Sequence, residues 1–362
     1  MLIGLYLVTV CLTGAVLVFR LELQELVHPH LFTPTVQGPL AEPAVVMRRA
    51  QAAYPDLALS GVETPTADRQ TYLAYVGGNE DFVTLLLDPV TGEPLGALPD
   101  RSIVHTLQSL HFDLLAGRTG RTVNGIGGLL LLAMCATGLV IWWPGRARWR
   151  KHLTVDLRRP WRRVTWDLHN AVGIWSVVFI AVWATTGFYF AFPETFRNLV
   201  HVVSPLSVLE VPRSDPSGAG EALPWETLVA RSRQHAPGQF VARIVVPATG
   251  RDPFLVMFAQ ESPTRAGGTA LTSVYLDQFS GERLATPQRQ RSSIGDRVMD
   301  WAAPLHLGNF SGLPVKLLWF AMALTPPVLF VTGFLMWWTR VVRPRAPSRG
   351  PFQDTEESRK PD

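Results

Sequence analysis

Four stretches of apolar residues, none with a charged side chain in its interior, divide this chain of 362 residues. A helix needs about 20 apolar residues to cross the hydrocarbon core of a bilayer, and each stretch is close to that length. The pattern predicts four membrane-spanning helices over residues 2–19, 126–143, 172–192 and 317–338. No basic region precedes the first stretch and no small-residue cleavage site follows it, so we interpret it as a retained span rather than a signal peptide.

The two long segments outside these spans repeat one pattern. In each, an apolar run ends at an aspartate, Asp88 or Asp277, passes through a turn containing Thr/Ser-Gly-Glu, and resumes at a leucine. This order is typical of a strand, a turn and a second strand. Helical spacing over residues 44–54 and 225–235, and apolar runs over 71–76, 243–246 and 254–258, add a helix and further strands to each segment. Each segment is therefore predicted to form a small α+β module.

The spans themselves also repeat. A Thr-Gly pair lies near the end of each one, at Thr13-Gly14, Thr137-Gly138, Thr186-Gly187 and Thr332-Gly333. Histidines keep register with these pairs: His28 and His201 each lie 15 residues after a threonine, and His111 and His306 each lie 26 residues before one. The chain is therefore interpreted as an internal duplication. Histidines in register across a duplicated bundle suggest a metal or haem site on its pseudo-two-fold axis.

The distribution of charge predicts the orientation. Residues 144–168 carry eight Arg or Lys against two Asp, and Arg340, Arg343 and Arg345 follow the last span. Short basic loops remain on the cytoplasmic side of the inner membrane, so both termini are expected there and the two long segments in the periplasm. Basic residues beside spans need no other cause, so a nucleic-acid partner is not expected; membrane lipid is.

We therefore predict an internally duplicated α-helical membrane protein with four spans and two periplasmic α+β modules. The predicted parts, in chain order, are a first span (1–20), a module (21–110), an approach helix with the second span (111–143), a basic loop (144–168), a third span (169–192), a second module (193–305), an approach segment with the fourth span (306–338) and a basic tail (339–362).

Several cofactor and reaction classes are excluded by what the sequence lacks. The two cysteines, Cys11 and Cys135, are too few for an iron–sulfur cluster, and no C-x-x-C-H motif attaches a c-type haem. No zinc-protease, nucleophile-elbow or phosphate-loop motif occurs, which argues against hydrolases and ATP-driven transport.

The combination of motifs resembles the PepSY-associated transmembrane family. The resemblance rests on the Thr-Gly spans, the paired Asp turns, Leu110-His111, Asp167-Leu168-His169 before Gly173-Ile174-Trp175, and the Trp pairs at 142–143 and 337–338. That family includes inner-membrane haem-b reductases, which reduce ferric iron in siderophores on the periplasmic side, and also many members of unassigned role. The resemblance implies a PepSY-type membrane oxidoreductase that takes part in iron acquisition.

Bis-imidazole ligation of haem b requires two histidines on opposing helices at matching depth. We expect His111 and His306 to be the ligands of an outer haem, and His169, at the cytoplasmic start of the third span, to ligate an inner one. The second symmetric pair, His28 and His201, is expected to ligate haem or to contact substrate. The alternative for all of them is interfacial hydrogen bonding. Catalytic residues beyond these ligands are not predicted.

The repeat arithmetic carries one further expectation. His169 precedes Thr186 by 17 residues, and its counterpart would lie 17 residues before Thr13, upstream of Met1. The projection therefore predicts that the sequence starts after this ligand. One or two haems per chain are consistent with that prediction.

Three functions remain open at this stage. The leading one is electron transfer across the inner membrane to a periplasmic ferric complex, most simply a ferric siderophore. Its electron donor would be quinol or a redox protein, because no flavin or nicotinamide domain is present. In the second, the modules bind or regulate a periplasmic peptidase or another partner, and the spans only anchor them. The third is a transporter, which the absence of charged residues inside the predicted spans disfavours.

Overall fold

The computed structural model describes residues 2–78, 82–99, 101–143, 145, 149–207, 210–216, 220–260, 271–287 and 292–342. Arg146 and Arg148 of the basic loop, and the basic tail after Val342 with Arg343 and Arg345, lie outside the described residues. Helices account for most of the apolar sequence. They are α1 (Leu2–Leu17), α2 (Arg20–Val27), α3 (Pro29–Phe32), α4 (Pro43–Ala53), α5 (Ile103–Asp113), α6 (Gly117–Trp142), α7 (Trp161–Ala191), α8 (Pro193–Val203), α9 (Trp225–Gln234), α10 (Ile294–Leu307), α11 (Gly312–Ala323) and α12 (Thr325–Trp337).

Three helical stretches of the described chain are long and apolar enough to cross a membrane, Gly117–Trp142, Trp161–Ala191 and Gly312–Val342. A bent pair, Gly4–Leu17 with Arg20–Val27, passes the same test when its halves are taken together, and its two parts meet at 71°. The bend falls where the apolar run gives way to Arg20 and Glu22. The predicted spans thus correspond to three helical stretches and one bent pair.

The helical stretches extend beyond the apolar runs that predicted them. α6 begins at Gly117 and α7 at Trp161, because helical hydrogen bonding continues through the polar residues ahead of each run. The last stretch is interrupted at Leu324, between α11 and α12. Pro326 and Pro327 follow this break directly and have no backbone N–H to continue the helical ladder.

Glycines permit close contact between helices of the bundle. A Cβ on Gly125 of α6 would lie 2.2 Å from the ring of Phe192, and one on Gly127 would lie 2.2 Å from the hydroxyl of Tyr6 in α1. A Cβ on Gly128 would lie 2.9 Å from the carbonyl of Ala184 in α7. Small residues at such contacts are typical of helices packed in membranes.

One charged residue is buried at the start of the last span. Lys316 of α11 is 9% exposed, and its Nζ lies 2.6 Å from Oε1 of Glu22 in α2. The predicted span began one residue later, at Leu317, and did not include this lysine. The ion pair joins the bent helix pair to α11, and it qualifies the expectation that the spans contain no charge.

The segments between the spans form one antiparallel sheet. Its strands are β1 (Leu59–Glu63), β2 (Tyr72–Val76), β3 (Val83–Leu87), β4 (Pro94–Ala97), β5 (Phe240–Val245), β6 (Phe254–Ala259) and β7 (Leu271–Leu276). The order across the sheet is β4-β3-β2-β1-β5-β6-β7. The first half supplies the helix and strands expected from the repeat, but in the second half the strand predicted to resume at Leu284 is wrong, because the described residues after the Asp277 turn form only an isolated bridge between Leu276 and Arg283. The halves are not separate modules, however, because β1 of the first half pairs with β5 of the second.

The junction between the halves is closed by backbone, apolar and charged contacts. Gly61 opposes Val245 across the junction, and a Cβ on Gly61 would lie 2.6 Å from the carbonyl of Ile244. α4 and α9 pack on the same face over one continuous core that contains Met47 and Leu228. Two exposed ion pairs connect these helices reciprocally, Arg48 with Glu226 and Glu42 with Arg233. The sheet is therefore a single folded unit with internal pseudo-symmetry.

The repeated aspartates hold the hairpin turns and the extended segments beside them. Asp88 accepts hydrogen bonds from the backbone N–H groups of Val90 and Thr91, and from the backbone and hydroxyl of Thr35. Asp277 accepts from the backbone of its own turn and from that of Asp215. The prediction that these residues form turns is confirmed, and each carboxylate also fastens a Pro-rich segment to the sheet.

Acidification should loosen these turns. Burial raises the pKa of Asp88, but the hydrogen bonds from Thr91, Thr35 and Val90 outweigh it and hold the pKa well below the usual value; the same balance lowers the pKa of Asp277. A depressed folded-state pKa stabilises the fold above the unfolded pKa of about 4, and this contribution is lost as the pH falls below that value.

Replacement of the carboxylate tests this account. Asp88→Asn should destabilise the sheet by about 2 kcal/mol at pH 7, and the difference from wild type should shrink as the pH falls below about 4. Calorimetric unfolding of the full chain in detergent would measure both effects. Asp56→Asn, at an exposed position between α4 and β1, is the control. A constant difference between Asp88→Asn and wild type at every pH would contradict the role of the charge.

Candidate functional site

Three of the candidate histidines contact three of the Thr-Gly threonines. His111 of α5 lies beside α1, with Nδ1 3.2 Å from Oγ1 of Thr13. Two further pairs repeat this contact at Nδ1–Oγ1 distances of 2.7 Å and 2.9 Å, His306 of α10 with Thr186 of α7 and His169 of α7 with Thr332 of α12. The threonine that each histidine contacts is not the one from which its register was counted, since His111 was counted from Thr137 and His306 from Thr332.

The threonines determine which imidazole nitrogen carries the proton. Each hydroxyl lies within hydrogen-bond distance of the carbonyl four residues earlier, at 2.8 Å for Thr13, 2.7 Å for Thr186 and 2.8 Å for Thr332. A hydroxyl has one proton, so when it donates to its own helix it can only accept from the histidine. Nδ1 is then the protonated nitrogen in all three rings, and Nε2 retains a lone pair with which to bind a metal.

A backbone contact gives the same assignment for His111. Its Nδ1 lies 2.9 Å from the carbonyl oxygen of Val10, which can only accept. His306 is oriented by a ring contact instead: Phe190 meets it edge to face at a centroid distance of 5.1 Å. The ring of His111 is therefore held by α1, and the ring of His306 is held by α7.

His111 and His306 lie next to each other although 195 positions separate them in the chain. Their ring centroids are 6.2 Å apart, with the planes tilted by 54°. A metal held between two imidazole nitrogens at bond lengths of about 2 Å requires centroids about 6 Å apart. In the part of the chain that the structure describes, no group of three or more His, Cys, Asp or Glu is placed to hold a metal ion. The centroid separation of the two rings is therefore the one that two imidazole ligands of a single metal ion require.

The glycines of the Thr-Gly pairs make room for these rings. A Cβ on Gly14 would lie 2.8 Å from Cε1 of His111, and one on Gly333 would lie 3.4 Å from Cε1 of His169. Gly187 is more open, at 4.0 Å from Cε1 of His306, and nothing lies within 4 Å of a Cβ on Gly138. The sequence predicted close approach of a helix or a porphyrin; at Gly14 and Gly333 the close neighbour is an imidazole.

The surroundings favour the neutral form of the two facing histidines. Burial, together with the neighbouring His111, lowers the pKa of His306 to about 3. Burial also lowers the pKa of His111, against an opposing effect of the Val10 carbonyl. Both rings are on α5 and α10, outside the spans, and neutral imidazole is the form that binds metal ions.

Two residues that the sequence did not single out hold the ends of the histidine helices. Asn124 of α6 donates its amide N–H to the carbonyl of His111 at 2.7 Å, and its carbonyl accepts from the hydroxyl of Tyr6 at 2.9 Å. In the second half, the indole of Trp319 donates to the carbonyl of Leu305 at 2.7 Å. No sequence signal links these residues, because the two halves use different side chains at this place.

The second symmetric pair is not placed like the first. His28 ends α2, and its Nε2 is buried without a hydrogen-bond partner among the described residues. Its ring lies 6.3 Å from that of His30. His201 lies in the last turn of α8, where Nδ1 accepts from the backbone N–H of Leu206 at 3.1 Å. Neither has a threonine partner of the kind described above, so a ligand or substrate role for them stays a prediction.

The fourth threonine differs from the other three. The Thr137 hydroxyl is exposed and bonds to the carbonyls of Ala133 and Met134 in its own helix, and no described histidine bonds to it. Thr13, Thr186 and Thr332 are by contrast all buried. Burial of the threonine and contact with a histidine therefore occur together.

A helical membrane bundle that brings two oriented histidines together, combined with an antiparallel sheet built from both halves, defines the class of this protein. Its sequence matches the family described as the PepSY-associated TM region over residues 1–340, and the chain belongs to that family. It is also 34% identical over 87 residues to an uncharacterized protein of Pseudomonas aeruginosa, a match that covers 22% of this chain and 20% of the relative. The chain thus spans about a fifth of that relative's length.

Proposed function

We propose that this protein is an inner-membrane haem-b oxidoreductase that passes electrons across the membrane to ferric complexes in the periplasm. The observation that carries the proposal is the pair His111 and His306. The two rings lie 6.2 Å apart, and Nδ1 of each is engaged by a threonine or backbone oxygen. Two neutral imidazoles at this separation are the protein ligands that a b-type haem requires.

The proposed division of labour follows from the chemistry of the groups. Haem b supplies one-electron transfer when it is bound. Within the chain, His111 and His306 would hold the iron, while Thr13, Val10 and Thr186 keep their rings in one tautomer. Chelators selective for ferric iron bind ferrous iron weakly, so a one-electron reduction releases the metal without breaking the ligand. A ferric siderophore is the substrate that this chemistry suits best.

The position of His169 supports a second electron site at the other end of the bundle. On α7, 17 positions separate His169 from Thr186, the partner of His306, which corresponds to about 25 Å of helix rise. The hydrocarbon core is about 30 Å thick. His169 would hold the inner haem, and quinol or a redox protein would supply its electrons from that side.

The proposed topology has four spans, with the bent pair α1–α2 as the first. The basic loop and the tail then lie in the cytoplasm by the positive-inside rule. The sheet, built from both long segments, would stand on the periplasmic side, next to His111 and His306. Ferric complexes would accordingly arrive at the same end of the bundle as the outer histidine pair.

Haem content is the deciding measurement. The full chain, produced with adequate haem supply and purified in detergent, should contain at least one non-covalent haem b per chain in a pyridine haemochrome assay, with a low-spin spectrum typical of two imidazole ligands. A colourless protein would end the redox proposal and leave the spans as an anchor for the sheet, which would then be the functional part.

A further inference from the structure

The acceptors available to the two outer histidines are unequal. His111 has two oxygens within hydrogen-bond distance of Nδ1, the Val10 carbonyl at 2.9 Å and the Thr13 hydroxyl at 3.2 Å. For His306 the described contacts provide one, the Thr186 hydroxyl at 2.7 Å. The shorter contact is thus made to His306, for which the described contacts provide no backbone acceptor.

The hydroxyl of Thr186 belongs to a short chain of hydrogen bonds. It donates to the carbonyl of Val182 at 2.7 Å, and Thr186 itself is 6% exposed. A buried chain of this kind polarises each of its members. The imidazole N–H therefore faces an oxygen whose own proton is already committed, which makes that oxygen a better acceptor and the imidazole a stronger electron donor.

We propose that Thr186 is the positioning residue of the outer site: its hydroxyl holds His306 in the tautomer and orientation that bind iron, and sets the reduction potential through the hydrogen bond to Nδ1. The inference rests on the proposed haem function and deepens it. Thr13 hydrogen-bonds to Nδ1 of His111 in the same way, but the Val10 carbonyl also accepts from that nitrogen. The two threonines are therefore not equivalent, although the duplication makes them counterparts.

The physical consequence of losing the hydroxyl is specific. Valine has nearly the shape of threonine and cannot accept a hydrogen bond, so in Thr186→Val the Nδ1–H of His306 loses its partner. The ring can then move its proton to Nε2, which removes the lone pair needed by iron, or rotate away from its present position. Loss of a group that hydrogen-bonds to a metal-ligating histidine typically costs about 10–100-fold in metal affinity.

Four variants of the full chain test this inference. Thr186→Val should release outer haem to apomyoglobin at least about tenfold faster than wild type, and should raise the midpoint potential of the haem that remains. Thr13→Val should change both quantities less, because Val10 still accepts from His111. Thr186→Ser keeps the hydroxyl and should restore wild-type behaviour. Thr137→Val, on the exposed threonine without a histidine, is the matched control.

The outcomes separate this inference from the function on which it rests. If wild type holds haem but Thr186→Val matches Thr137→Val in release rate and potential, the positioning role is overturned while the oxidoreductase proposal stands. If Thr186→Ser behaves like Thr186→Val, the hydroxyl is not the responsible group and the inference is again overturned. A wild-type chain without haem overturns both. Thermal unfolding of each variant distinguishes loss of haem from loss of the fold.

Discussion

Replacing His306 or His111 with alanine should remove the low-spin spectrum of the outer haem and lower the rate of ferric-complex reduction by more than about 100-fold. Each substitution leaves one imidazole, and because the ring centroids lie 6.2 Å apart, both rings would serve one position in the proposed site. The two variants should therefore lose the same signal, whereas unrelated hydrogen-bonding histidines would produce two independent, smaller effects. Optical and electron paramagnetic resonance spectra of the purified full chain would measure the loss.

The control for this pair lies at the end of α9, away from the bundle helices that carry His111 and His306. His235 is exposed after α9, so His235→Ala should retain both the spectrum and the activity. Signal from an inner haem held by His169 should persist in both ligand variants. If the low-spin signal is lost with His28→Ala or His201→Ala and retained without His111 and His306, the ligand role passes to the other symmetric pair.

The second large effect is expected at Gly14. A Cβ there would lie 2.8 Å from Cε1 of His111, a distance that real Cβ atoms essentially never show, and Val10 and Thr13 of the same helix hold the adjacent Nδ1 of that ring in place. Gly14→Ala should therefore displace His111 and reduce outer haem content to a small fraction of wild type, measured by haemochrome assay on equal amounts of protein.

Gly138→Ala is the matched control, because it occupies the same place in the repeat and nothing lies within 4 Å of the new Cβ. Alanine is favoured over glycine in a helix interior by about 1 kcal/mol, so Gly138→Ala should keep its haem and unfold at an equal or higher temperature. Equal haem content in the two alanine variants would show that His111 tolerates the methyl group, and that the glycine serves some other purpose.

Much of the architecture follows from local sequence patterns. Charge-free apolar runs of nearly bilayer length predicted the spans, and the helices 44–54 and 225–235 are observed as α4 and α9 within one or two residues. Register relative to the Thr-Gly pairs singled out His111 with His306 and also His28 with His201, whereas His169 was chosen for its place at the start of the third span. The helix predictions are confirmed because helix periodicity is a property of the chain itself.

Other features depend on contacts between distant parts of the chain. The strand β1 (Leu59–Glu63) was not predicted, since its five residues alternate poorly and contain Gly61. It is a strand because β2 and β5 pair with it on both sides, and the same pairing merges two predicted modules into one sheet. A sequence pattern within one half cannot show that the edge strand of that half pairs with a strand of the other half.

The roles of the repeated threonines and glycines were also decided only by tertiary structure. Their register with the histidines was visible in the sequence, but spacing alone does not say which residues touch. In the fold, Thr13 meets His111 across 98 positions and Thr186 meets His306 across 120. The sequence by itself thus determined which residues recur. The packing of α5 on α1 and of α10 on α7 decided which nitrogen of each ring is left for a metal, because only neighbouring helices can supply the acceptor for the other one.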